Sequence, residues 1–122
     1  ILQSEFVSPD DPIELLLQKT QHGFQEEFPV MENGRLVGMV TKSHLLSGLQ
    51  NLGLEGRVSQ IMHKNVPTLA PDDSLKTALE KMQQSRLSAL PVLAPQGLVG
   101  LLSMEQMSNF LSYYYSVKEG TV

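Results

Sequence analysis

Phe28-Pro-Val-Met-Glu-Asn-Gly-Arg-Leu-Val-Gly-Met-Val-Thr-Lys-Ser-His-Leu45 reads as strand, turn, strand and helix start, and the chain carries this stretch twice. The second copy is Leu90-Pro-Val-Leu-Ala-Pro-Gln-Gly-Leu-Val-Gly-Leu-Leu-Ser-Met-Glu-Gln-Met107. Pro29 and Pro91, Val30 and Val92, Leu36 and Leu98, Val37 and Val99, and Gly38 and Gly100 are each 62 residues apart. Thr41 and Ser103 keep the same offset. Self-similarity of this kind marks a repeat architecture, in which one unit buries its apolar face against another.

Working outward from the first copy, Asn33-Gly34 is a hairpin turn signal between strands Phe28 to Glu32 and Leu36 to Val40. Gly38 inside the returning strand marks a bulge or a close backbone approach. Thr41 is a helix cap, followed by Leu45, Leu46, Leu49 and Leu52. Upstream, Glu5-Phe6-Val7 reads as a brief strand. Asp11 and Pro12 read as a helix start, with Glu14 completing a capping box. Ile13, Leu16, Leu17 and Thr20 form one face of that helix, which Gly23 ends.

The second copy repeats this order. Val66-Pro-Thr-Leu69 is the short strand, Pro71-Asp72-Asp73 matches Pro9-Asp10-Asp11, and Leu75, Ala78, Leu79 and Met82 make the helical face. Ala89 to Leu93 and Leu98 to Leu102 are the paired strands. Ser103 caps a last helix with Met107, Phe110, Leu111 and Tyr114 on one face. The spacing predicts an α+β fold of two β-α-β-β-α repeats, residues 1–53 and 54–115, with a frayed tail over 116–122. A unit of about 60 residues buries too little surface to be stable by itself. The two are therefore expected to pack with pseudo-twofold symmetry and to leave a pair of crevices, the usual place for a small ligand.

Composition narrows the function. Of 122 residues, 41% are hydrophobic and 18% charged, which suits a packed core. A net charge of -4 argues against a nucleic-acid binder, which needs a basic face. With no cysteine there are no disulfides or thiolate metal sites. No apolar run approaches the roughly 20 residues that span a bilayer. His22, His44 and His63 lie in three segments without an i, i+4 pair, so no metal site is expected. Glu26 and Glu27 are adjacent and point to opposite faces of a strand, a poor acid/base pair. No nucleophile-elbow or P-loop pattern occurs, so no enzymatic activity is expected. The chain opens on Ile1-Leu2 without a methionine, which reads as a piece of something longer.

The duplicated Pro-Val and Leu-Val-Gly-aliphatic-aliphatic-Ser/Thr pattern, with Pro-Asp-Asp before a helix, resembles the cystathionine-β-synthase (CBS) domain, two of which make a Bateman module. The second repeat is complete from Val58-Ser-Gln-Ile-Met62, whereas the first lacks that opening segment. The resemblance implies a regulatory module attached to a host enzyme, transporter or channel. It implies an adenosine-type ligand such as AMP, ATP or an adenosyl compound, no required cofactor, and a homodimer formed through helices. The ending Gly100-Leu-Leu-Ser-Met-Glu-Gln-Met-Ser-Asn-Phe-Leu111 also looks like the close of membrane zinc metalloproteases of the site-2-protease class. Their His-Glu-x-x-His is absent here, and the implied piece is the cytoplasmic regulatory end, itself not inserted in the membrane.

The resemblance also implies where a ligand would sit. In the second repeat these positions are Val66, Thr68, Ala89, Leu90, Pro91, Ser103 and Gln106; in the first they are Phe28, Pro29, Thr41 and His44. Thr41 and Ser103 stand at helix N-termini, where free N–H groups and the helix dipole favour an anion. They read equally as plain caps. Three residues on, nucleotide-binding members carry an aspartate for the ribose, and this chain has His44 and Gln106 instead, which weakens the case for adenosine. Gln106 also completes a Ser-x-x-Gln capping box, and His44 meets a phosphate only when protonated. Phe6, at the position of Thr68, either stacks on a base or plugs the crevice. Lys42, Arg57, Lys64 and Arg86 read as surface charge, and Tyr113 and Tyr115 as exposed residues suited to an interface.

Overall fold

The computed structural model describes residues 5–23 and 25–118, with side chains as far as Tyr113. In chain order the elements are α1 (Ile13–Gln21), β1 (Phe28–Glu32), β2 (Arg35–Val40), α2 (Lys42–Leu52) and α3 (Val58–Ile61). There follow α4 (Leu75–Ser85), β3 (Ala89–Ala94), β4 (Gly97–Ser103) and α5 (Met104–Lys118). Each hairpin is an antiparallel two-stranded sheet, β1 with β2 and β3 with β4. The α+β class and the repeated order agree with the sequence.

Two strands are marginal alone, and each hairpin gains one parallel neighbour. Val7 bridges to Val30 and Leu69 to Val92. Val7 N–H donates to the Pro29 carbonyl, and Leu69 N–H to that of Pro91, at 3.0 and 2.9 Å. The strands expected over residues 5–7 and 66–69 thus shrink to single bridges. In both repeats the next residue turns away: Ser8 N–H donates to the Asp11 carboxylate and Ala70 N–H to that of Asp73, each at 2.8 Å. This use of Asp11 also corrects the expected capping box. Pro12 stands at the cap of α1 with no side-chain bond, while α4 has Ser74, whose hydroxyl accepts from Thr77 N–H.

Alternation about the bridges sets what is buried. Val7 faces the core and Phe6 is 54% exposed, so Phe6 is no plug. The first core gathers Val7, Ile13, Leu16, Phe28, Val30, Val40, Leu45 and Val58. The second gathers Leu69, Ala78, Met82, Leu90, Val92 and Met107. Each of the larger side chains gains about 1.5–3 kcal/mol on full burial. Leu46 and Leu52 on α2 and Phe110 on α5 are exposed rather than part of the expected stripes. Leu46 is one residue from buried Leu45 and so projects from a different face.

Both hairpins carry a bulge at the same place. Val30 pairs with Gly38 and Met31 with Leu36, leaving Val37 over; Val92 pairs with Gly100 and Leu93 with Leu98, leaving Val99 over. The Gly38 expectation holds in both senses, since a Cβ there would meet the His63 carbonyl oxygen at 2.9 Å.

The compact units do not divide where the sequence repeats do. One runs Ser4–Val66 and the other begins at Pro67, not after Gly53. The cause is the packing of residues 56–63 on the first repeat. A Cβ on Gly48 of α2 would meet Ile61 Cγ2 of α3 at 2.8 Å. Met39 and His63 exchange two backbone hydrogen bonds of 2.9 and 2.8 Å, and Ile13 N–H reaches the Gly56 carbonyl at 2.8 Å. At the other end, α5 continues through Lys118, past the residue 115 limit of the second repeat.

Candidate functional site

Hairpin register determines which candidate residues meet. Phe28 pairs with Val40, next to Thr41, and Ala89 pairs with Ser103 itself. The opening of each hairpin and the start of the helix after it therefore share one end of each unit. Phe28, Pro29, Ala89, Leu90 and Pro91 are all buried there. Phe28 and Leu90 belong to the cores, so only their backbone groups are available to a ligand.

Both helix starts close on themselves. Ser103 N–H donates to Gln106 Oε1 and Gln106 N–H to Ser103 Oγ, both at 3.0 Å, the reciprocal box foreseen for this pair. Thr41 and His44 make the equivalent box: His44 N–H donates to Thr41 Oγ1 at 3.3 Å, and Thr41 N–H donates to His44 Nδ1 at 3.2 Å. Since a backbone N–H can only donate, Nδ1 is the acceptor and the imidazole carries its proton on Nε2. At α5, Met104 N–H is also taken, by the Ser88 carbonyl at 2.9 Å.

The two starts differ electrostatically. Lys42 opens α2, which has no acidic residue in its first turn, whereas Glu105 stands in the first turn of α5. An anion is therefore better tolerated at Thr41 than at Ser103. His44 is half-buried and stacks on His63, with ring centroids 6.0 Å apart and planes 11° from parallel. Burial first, and the charge of His63 second, hold the His44 pKa below its usual 6.5.

The remaining candidates are more scattered. Val66 ends one compact unit and Thr68 lies just inside the other. Thr68 is half-buried, and its carbonyl accepts from Lys81 Nζ at 2.8 Å. Glu26 is exposed and Glu27 buried, as their opposite facing requires. Among the described residues no three His, Asp or Glu side chains converge as a metal site would need. None of the described helices is long and apolar enough to cross a membrane. Sequence reasoning missed the approach of His63 to His44. Nineteen positions separate them, and the sheet-edge bonds of Met39 to His63, with the packing of Ile61 on Gly48, bring them together.

A profile of the CBS domain matches residues 3–51 and 58–113. The chain belongs to the CBS-domain family. Its two CBS repeats form a tandem pair. It is 30% identical over 110 residues to the CBS domain-containing protein YhcV of Bacillus subtilis, covering 84% of this chain and 79% of that protein. Other curated relatives are much longer, and the chain spans 32% of one and 17% and 18% of two more. Among solved structures, the CBS domain pair of protein MJ0100, in complex with 5-methylthioadenosine and S-adenosyl-L-methionine, matches with a TM-score of 0.81 and 20% identity over 93% of each chain. CBSX2 in complex with AMP matches with a TM-score of 0.76 and 19% identity over 91% of this chain and 89% of that one. CBS repeats are generally regulatory rather than catalytic.

Proposed function

We propose that this CBS pair is a non-catalytic regulatory module that senses an adenosine-type ligand and biases an attached host protein. The observation that carries this reading is the equivalent placement of Thr41 and Ser103, hydroxyl-bearing caps beside the openings of two matching hairpins. The adenosyl ligands of MJ0100 and the AMP of CBSX2 lend it support. A ligand of the first repeat would use Thr41 and His44 through their side chains, and a ligand of the second repeat Thr68, Ser103 and Gln106. Phe28, Pro29, Val66, Ala89, Leu90 and Pro91 would contribute backbone groups and local shape. A ligand that prefers one state of the module shifts the host by that difference in affinity.

The host is an enzyme or transporter, and the module is a cytoplasmic domain or the cytoplasmic part of a membrane protein. The likeness of residues 100–111 to the close of site-2-protease-class metalloproteases favours the latter. The sequence repeats 1–53 and 54–115 are the inherited units, and residues 116–122 lead out of them. Calorimetry and thermal shift with AMP, ADP, ATP, S-adenosylmethionine and methylthioadenosine test the reading. A ligand at 100 times its Kd stabilises the fold by about 2.7 kcal/mol.

One observation favours a second reading, an assembly module that binds no ligand and dimerises through its helices. At α5 the N–H groups of Ser103, Met104 and Gln106 are already bonded within the chain, and exposed Phe110 and Tyr113 suit an interface. A concentration-independent dimer on sizing, with no thermal shift for any of the five compounds, would decide for assembly.

A further inference from the structure

We propose that His44 and His63 form a proton-operated latch, closed when both imidazoles are neutral, which holds the segment after α3 against the start of α2. The inference concerns the chain without any ligand and does not depend on the sensing role.

The geometry makes the neutral form a requirement. His44 Nδ1 accepts from Thr41 N–H at 3.2 Å. A proton added to Nδ1 converts this acceptor into a donor facing a donor. The new N–H can still turn to Thr41 Oγ1, 3.1 Å away, but Thr41 N–H is then left without its acceptor. The second condition is the stack. With centroids 6.0 Å apart, a proton on one ring disfavours a proton on the other. His63 is held in place by its paired bonds to Met39 on β2, only two residues before Thr41. Capping box, ring stack and sheet-edge bridge thus meet at one point, and a proton acts on the first two directly.

The surrounding charges favour release on acidification. Lys42 on α2 and Lys64 beside His63 are cationic and exposed. Helix α3 itself contributes no ionisable side chain. On the hairpin side, buried Glu27 precedes Phe28, and Arg35 lies at the far end of β2. His63 is the charged group that acts on His44. The matching position in the second repeat is Gln106, which makes the same box without titrating. The latch is therefore confined to the first unit. It bears on residues 62–66, through which the chain passes into the second unit at Pro67.

The test is an NMR titration of the ligand-free chain from about pH 7.5 to about pH 5, spanning the ordinary histidine range. His44 is expected to titrate below the ordinary histidine value of about 6.5. The amides of Thr41 and His63 are expected to lose protection against exchange by about tenfold as it does so, the scale of one lost hydrogen bond. His63→Gln should move the His44 midpoint upward, and His44→Gln should leave Thr41 protected across the range. If His44 titrates at or above about 6.5, or both amides keep their protection down to the lowest pH, the proposal is overturned. These wild-type readings decide it even where a variant fails to fold.

Discussion

The backbone of Gly38 lies so close to that of His63 that a Cβ on Gly38 would sit 2.9 Å from the His63 carbonyl oxygen and 3.0 Å from Met62 Sδ. The sulfur can swing aside, but the carbonyl is fixed by its bond from Met39 N–H. Gly38→Ala is therefore expected to cost about 1–3 kcal/mol, the usual range for overpacking. Urea unfolding measures it, and an unchanged midpoint would contradict the close approach.

Ser103→Ala and Thr41→Ala each remove the hydroxyl of a closed capping box. Each should cost about 1 kcal/mol without any ligand present, within the 0.5–2 range for lost caps. Should one of these hydroxyls also hold a ligand, its variant will abolish the ligand-induced thermal shift beyond this stability loss. A stability loss alone, with ligand affinity intact, marks the residue as a cap.

Phe28 and Phe6 give opposite expectations from the same substitution. Phe28 is 1% exposed in the first core, and its replacement by alanine should cost about 3–5 kcal/mol. Phe6→Ala should stay within about 0.5 kcal/mol, as for surface substitutions generally. Paired denaturation curves check both, and equal losses would refute the assigned burial.

Stability should fall on mild acidification. The folded His44 pKa lies below 6.5, so the unfolded chain binds more protons in that window and unfolding becomes easier as pH drops. The contribution of His44 is complete above about pH 6.5 and is lost as pH falls through its folded pKa. Thermal melts across this range should show a falling Tm in the wild type and a flatter profile in His44→Gln. A Tm that rises on acidification would reverse the sign.

Much of this was legible in the chain because its signals are local. The Asn33-Gly34 turn and the Ser103–Gln106 box depend on residues within a few positions of one another, and the 62-residue offset only repeats such local patterns. The Val37 bulge was half legible, through Gly38 beside it, and the Val99 bulge stands at the repeat-equivalent place. What could not be read depends on distant partners. Asp11 looked like a helix cap because nothing in sequence says that the Ser8 amide competes for it. Phe6 looked like a plug because its exposure depends on Val7, at the bridge to Val30, being the residue that turns inward. The His44–His63 stack needed the sheet-edge pairing of Met39, which no periodicity reveals. Of the ligand residues, the helix caps were visible as caps, but their degree of internal satisfaction was not.

The division at Val66 and Pro67 has a practical consequence for anyone exchanging such halves between proteins. A cassette cut at Gly53 would leave Ile61 without Gly48 and His63 without Met39, and would donate an α2 stripped of its cover. The transferable piece is instead the one ending at Val66, so grafts should respect contact boundaries over the boundaries of the sequence repeat.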